Sequence, residues 1–161
     1  MKEEVAIITT NSAFATRQLG KKLVNQKLKQ LKNYCLIFAL QGELGSGKTQ
    51  FVKGLGQALK IKRIIRSPTF TLVHEYPFTH PAGPRGILYH VDAWRLDNPQ
   101  ELIDLQLIKM IKPGNIIAIE WADKVKNALS KITKDKKVKI IRVKFKHLTP
   151  EQRKIKITHE N

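Results

Sequence analysis

The sequence predicts a three-layer α/β fold, a mixed and mostly parallel sheet with helices on both faces and antiparallel strands at its edges. Three observations lead there. Strand-length apolar runs alternate with segments of helical periodicity, the order that a parallel sheet with covering helices requires. A glycine-rich stretch joins one apolar run directly to a helical segment. Late in the chain, residues 138–145 and 155–158 alternate basic with apolar residues, as half-buried strands near a sheet edge do.

The elements follow in order. Residues 5–9 read as a short strand, and Asn11 or Ser12 is placed to cap a helix carrying Leu19, Leu23, Leu28 and Leu31 at helical spacing. The unbroken apolar run 34–40 is a strand, 41–47 a glycine-rich loop, and 48–59 a helix despite Gly54 and Gly56. Ser67-Pro68 marks a turn, 70–76 a further extended stretch, and Pro77, Pro81, Gly83, Pro84 and Gly86 a loop before the strand 87–92. Asn98-Pro99 starts a helix through Glu101, Leu102, Leu105 and Ile108, which Pro113-Gly114 ends ahead of the strand 116–120. A short helix falls near 125–129.

Composition narrows the class. A length of 161 residues fits one domain covering 1–161, long enough to bury a substantial core. No apolar run approaches the ~20 residues that cross a bilayer. Glu3 and Glu4 stand where a secretory leader needs positive charge, so the chain reads as cytoplasmic. The single cysteine, Cys35, lies within an apolar run and reads as a buried small hydrophobe. The net charge of +17 attracts polyanions such as RNA. Of the 30 basic residues 23 are lysine, which equally suits a lysine-rich composition without a nucleic-acid role. The excess is concentrated in 124–156, where any RNA-facing surface is expected.

The sharpest chemical signal is Gly42-Glu43-Leu44-Gly45-Ser46-Gly47-Lys48-Thr49, a match to G-x-x-x-x-G-K-[ST] between a predicted strand and a predicted helix. In this P-loop the glycines let backbone N–H groups converge on phosphate oxygens, and the following helix adds its positive end. Lys48 reaches the β- and γ-phosphates of ATP, and the Thr49 hydroxyl offers an oxygen to Mg²⁺. The rival, a glycine turn that merely reverses the chain, does not account for the full pattern and its flanks.

Such a loop needs an acid at the end of a neighbouring strand. Asp92 closes 87–91 and Glu120 closes 116–119, so both are candidates, although strand-ending acids also cap helices. Ser67-Pro68-Thr69 places two hydroxyls in an extended segment suited to sensing the γ-phosphate, with an ordinary turn as the alternative. His90 and Asp92 share a strand face, yet no third nitrogen or sulfur ligand follows at zinc spacing. Trp94 and Trp121 each follow closely on a candidate acid; most such tryptophans are core or interface residues, and sequence alone does not separate those roles from a site role.

Four ordered blocks together resemble the TsaE family, bacterial P-loop ATPases required for threonylcarbamoyladenosine (t6A) modification of tRNA. They are the P-loop with Phe51 and Gly54, Ser67-Pro68-Thr69-Phe70-Thr71-Leu72-Val73, His90-Val91-Asp92-Ala93-Trp94-Arg95-Leu96, and Ile119-Glu120-Trp121. The resemblance implies a P-loop NTPase-type fold and ATP bound at Leu44, Gly45, Ser46, Gly47, Lys48 and Thr49. It further implies magnesium at Thr49 and Glu120, nucleotide sensing at Asp92, a switch at Thr69, and a need for Trp121 in activity. Its implied partners are TsaD, which transfers the threonylcarbamoyl group to adenosine 37 of tRNAs reading ANN codons, and TsaB. The ATPase cycle then resets that complex between turnovers. An adenine pocket near 10–13 is also implied.

The chain departs from the family pattern at Gln50, where a second threonine or serine is usual, and at Ala93-Trp94 and Ala122-Asp123. Gln106 stands where the family commonly has glycine. Two other functions compete: a small P-loop kinase, for which no arginine-rich lid is evident, and a basic RNA-binding module with a vestigial nucleotide site. A GTPase is disfavoured because no Asn-Lys-x-Asp motif occurs.

Overall fold

Cys35 to Leu40 and Ile116 to Glu120 are buried without a break, so these two runs can only be strands covered on both faces. They occupy the middle of the sheet in the computed structural model, which describes residues 4–98, 101, 106–134 and 137–160. The strands are β1 (Glu4–Thr10), β2 (Cys35–Gln41), β3 (Val73–Thr79), β4 (Arg85–Asp92), β5 (Ile116–Glu120), β6 (Val138–His147) and β7 (Arg153–Glu160). They lie in the order β1-β7-β6-β2-β5-β4-β3. The block β6-β2-β5-β4 is parallel, β3 pairs antiparallel with β4, and β7 pairs antiparallel with both β6 and β1. A mixed sheet with antiparallel edges is therefore correct, except that β6 is an interior strand rather than one near the edge.

Helices α1 (Ala13–Lys27) and α2 (Lys48–Ala58) cover one face, and α3 (Leu107–Met110) and α4 (Lys126–Thr133) lie toward the other. Of the two capping candidates it is Ser12 that acts, its Oγ accepting from the Ala15 N–H at 3.0 Å. Leu28 and Leu31 are buried as expected but fall in a 3₁₀ segment, Leu28–Asn33, beyond the end of α1. Phe51 on α2 anchors the first core layer, with edge-on contacts to Phe38 at 5.6 Å and Phe145 at 5.8 Å. Gly54 tolerates its helical position for a packing reason: a Cβ there would stand 2.0 Å from the Arg17 carbonyl oxygen of α1. Cys35 is fully buried, and desolvation pushes its thiol up to about 12.

Three local readings need correction. Pro77 and Gly86 lie in β3 and β4, not in the loop. Proline survives there because β3 is an edge strand and asks no ladder hydrogen bond of it on the open side. The helix expected from Asn98 to Ile111 is not continuous. Leu102 and Leu105 lie outside the described residues, but Gln106 adopts the left-handed conformation, φ 58°, and breaks the helical path before α3. The short helix near 125–129 runs further, through Thr133, after a 3₁₀ turn at Ala122–Val125.

The left-handed backbone at Gln106 explains in physical terms why glycine suits that position, since a Cβ is strained there. Gln106→Gly is expected to raise the urea unfolding free energy by up to about 1 kcal/mol. An unchanged or lower midpoint would contradict this account of the strain.

Candidate functional site

The loop between β2 and α2 bends because its glycines take positive φ, 73° at Gly45 and 103° at Gly47, conformations that side chains disfavour. Gly47 also caps α2, so the first N–H groups of that helix open toward solvent. Above them lies a cavity of about 600 Å³. Leu44, Gly45, Ser46, Gly47, Lys48 and Thr49 all line it, together with Thr69, Asp92, Glu120 and Trp121. Every site residue expected from the sequence is thus brought to one place. Ala13, within the expected adenine segment, forms part of the wall, as do Gln50, Ser67, Trp94 and Arg153.

Lys48 is nearly buried, and its ammonium donates to the carbonyl oxygens of Gly42 at 2.7 Å and Glu43 at 2.8 Å. It also stands 3.9 Å from the centre of the Trp121 ring, a cation–π contact. Burial lowers its pKa, while Glu120, Asp92 and Asp123 pull in the opposite direction. Trp121 reaches this position through a left-handed backbone, φ 58°, rarely adopted by a bulky residue. That turn directly after β5 lays its ring on Lys48 and against Trp94, the two indole centres 4.4 Å apart.

Asp92 and Glu120 are register partners at the ends of β4 and β5. Their surroundings divide their roles. One oxygen of Asp92 accepts from Thr69 at 3.1 Å and Ser67 at 3.4 Å, and the other from the Trp94 N–H at 2.9 Å. Ser67 and Thr69 are themselves joined at 2.8 Å. Glu120 turns toward α2: its Oε1 accepts the Thr49 hydroxyl at 2.8 Å and meets His90 Nε2 at 2.7 Å. His90 is fully buried, and among the described residues its Nδ1 has no hydrogen-bond partner.

The donor set fits a hard cation. Thr49 and Glu120 offer oxygen, and the Thr49 lone pairs stay free while its proton rests on Glu120. Among the described residues no cluster of three or more His, Cys, Asp or Glu side chains could hold a metal alone. This suits Mg²⁺, which takes few protein ligands and completes its shell with phosphate oxygens and water.

The family model for threonylcarbamoyl adenosine biosynthesis protein TsaE matches residues 10–155. The chain belongs to the TsaE family. Among curated TsaE proteins, named as tRNA threonylcarbamoyladenosine biosynthesis proteins, that of Nostoc is 46% identical over 95 residues, covering 55% of this chain and 54% of the relative. That of Haemophilus influenzae is 34% identical, covering 69% and 67%. That of Rickettsia prowazekii is 31% identical, covering 83% and 91%. The matched region thus spans about half of the Nostoc protein and nine tenths of the Rickettsia one. The crystal structure of Bacillus subtilis YdiB superposes with a TM-score of 0.66 at 23% identity, covering 100% of this chain and 89% of that one, and agrees with a P-loop NTPase-type fold. No helix among the described residues is long and apolar enough to cross a membrane.

Two residues beside this TsaE-family site escape a reading of the sequence. The sequence marks His90 as the strand-face neighbour of Asp92 and as part of a family block; its use on Glu120 needs the β4–β5 register, which a linear sequence does not contain. Arg153 was one basic residue among many, and only the β6–β7 pairing brings the start of β7 against Gly47. His90→Leu, which deletes the buried partner of Glu120, is expected to lower stability by about 2 kcal/mol in urea titration without nucleotide. Thr49→Val should lower it by about 1 kcal/mol, its side chain being less buried. Equal midpoints for His90→Leu and the parent would show that the buried pair contributes nothing.

Proposed function

We propose that the chain is a magnesium-dependent ATPase of t6A biosynthesis, acting with TsaD and TsaB to reset the transferase complex between turnovers. The observation that carries this reading is the 2.8 Å contact between the Thr49 hydroxyl and Glu120, made beside Lys48 at the mouth of a phosphate-sized loop. It joins the residues that an NTP–magnesium site requires, and family membership supplies the pathway.

In this reading the loop amides and the N-terminus of α2 bind the phosphates. Lys48 exchanges its bonds to the Gly42 and Glu43 carbonyls for the β- and γ-phosphate oxygens. Thr49 and Glu120 hold Mg²⁺, which when bound neutralises charge developing on the transferring phosphoryl group. His90 keeps the Glu120 carboxylate turned toward Thr49. Ser67 and Thr69, tethered to Asp92, sense whether a γ-phosphate is present, and their release after hydrolysis changes affinity for the partner complex. Trp121 sets the resting position of Lys48.

Arg153 extends the phosphate cradle beside Gly47. It is only 8% exposed, its Nε lacks a partner, and among the described residues no carboxylate pairs with it. Its Nη1 donates to the Glu151 carbonyl at 2.7 Å. A buried guanidinium without a counter-ion favours an anion beside it. Arg153→Gln is expected to weaken ATP and ADP binding alike by about tenfold in calorimetry. A loss confined to ATP would place Arg153 at the γ-phosphate instead.

Glu120→Ala should retain nucleotide binding and lose nearly all turnover; activity equal to the parent at saturating Mg²⁺ would remove Glu120 from the metal site. The functional test is reconstituted tRNA modification with TsaD and TsaB, followed over several turnovers with and without this chain. The resetting role predicts a requirement only after the first turnover. Phosphate release that ignores the partners, or modification that cycles freely without this chain, would refute it.

A further inference from the structure

In the half of the sheet formed by β6, β7 and β1, the second face is covered only at the start of β6, where Val138 and Ile140 pack against the core layer of α4. Ile141, Val143, Phe145, Ile155 and Ile157 point into the core layer of α1 and α2. On the opposite face, exposed residues continue from β6 across β7 to Val5 and Ile7 of β1, which are 46% and 60% exposed. At the centre of that face Lys144 stands directly opposite Lys156, and Lys146 directly opposite Lys154.

Like charges placed opposite one another across a strand pair destabilise a sheet. Here two such pairs are adjacent. All four lysines are exposed, and none makes an ion pair or side-chain hydrogen bond among the described residues. The neighbouring Glu160 is engaged by Arg142. Beside the array, a groove of about 230 Å³ lined by Lys126, Arg142, Lys144 and Lys156 continues the positive surface, with Asp123 at its wall. The lysine positions form a grid with about 5 Å between strands and about 7 Å along them. Such a grid, on flexible four-carbon stems, is able to follow successive phosphates.

We propose that this face binds the phosphate backbone of RNA, with Lys144, Lys146, Lys154 and Lys156 as its principal contacts. The inference rests on charge, register and membership of a tRNA-modification family, and is independent of the nucleotide site. Lysine-dominated contacts supply affinity and orientation without reading bases, as a partner acting on several tRNAs requires. Among the described residues this face presents no aromatic side chain for an acyl interface, and its exposed apolar residues, Val5 and Ile7, lie on the edge strand β1 away from the lysine pairs of β6 and β7, which favours RNA over an anionic membrane.

The test uses the full chain and an unmodified tRNA transcript, with binding measured by fluorescence anisotropy at several salt concentrations. Four phosphate contacts predict a parent affinity that falls about a hundredfold between 50 and 200 mM salt. The variant K144Q/K146Q/K154Q/K156Q should bind at least about tenfold more weakly at 100 mM salt and lose most of that salt dependence. Its melting temperature should equal or exceed the parent's, because the like-charge pairs are gone. ATP binding should be unchanged; absence of ATP binding in both proteins would defeat the nucleotide reading while leaving this one standing. A control with the same charge change elsewhere, K21Q/K22Q/K29Q/K32Q, should retain most tRNA affinity. In the parent, acylation footprinting should show tRNA protecting the four sheet lysines but not Lys21 and Lys22, a readout that stands even if the variant fails to fold. Three results overturn the proposal: no tRNA binding by the parent, equal losses in the variant and the control, or loss of binding to phosphatidylserine vesicles with tRNA binding intact.

Discussion

The carboxylate of Glu120 is the point on which the site closes. It ends β5, is almost completely buried, and receives a hydroxyl from α2 and an imidazole from β4 on the same oxygen. A carboxyl group at that depth is tolerated only with such partners. β4 and β5 are already held to each other by their parallel ladder, whereas α2 meets the sheet through apolar contacts that specify burial but not rotation about the helix axis. The hydrogen bonds add that direction, fixing the first turn of α2 against the ends of β4 and β5. Asp92, its register neighbour, turns outward to the Ser67–Thr69 segment, so adjacent acids of equal chemistry serve different parts of the cavity.

Much of this arrangement could be read from the chain. The glycine loop, the two acid-terminated strands and the layered fold all follow from apolar runs, turn residues and a motif whose backbone chemistry is demanding. What could not be read depends on register and on the third dimension. Pro77 carries a turn signal in the sequence, yet it sits in β3 because that strand lies at an edge, where a missing N–H goes unpunished. Gln106 sits inside a helical apolar pattern, and its positive φ overrides that periodicity. His90 and Arg153 became site residues only through the strand pairings that carry them to Glu120 and Gly47. The basic alternation of β6 and β7 did indicate a half-buried sheet, but not that their lysines face each other.

Trp121 joins local strain to site geometry. Its left-handed backbone is unfavourable for so large a side chain, and it persists because the ring is held by contacts with Lys48 and Trp94. Lys48 in turn rests on loop carbonyls rather than on a carboxylate, so its charge remains available for exchange with an incoming anion. The resting cavity is preorganised around its positive charges, with neither of the nearby acids neutralising the lysine by direct contact.

The contact between the first two helices has a mechanical consequence. At Gly20 a Cβ would come within 2.4 Å of the Phe51 carbonyl, and at Gly54 within 2.0 Å of the Arg17 carbonyl, so the two backbones touch at two points with no side chain between them. Side chains can change rotamer to absorb a displacement; abutting peptide groups cannot. The pair therefore behaves as a rigid strut with one end at Ala13 and the other at the phosphate loop. Whatever presses on the cavity wall at Ala13 is transmitted undamped to the lysine and threonine that begin α2, so the two ends of a bound molecule would be felt by the loop as a single load.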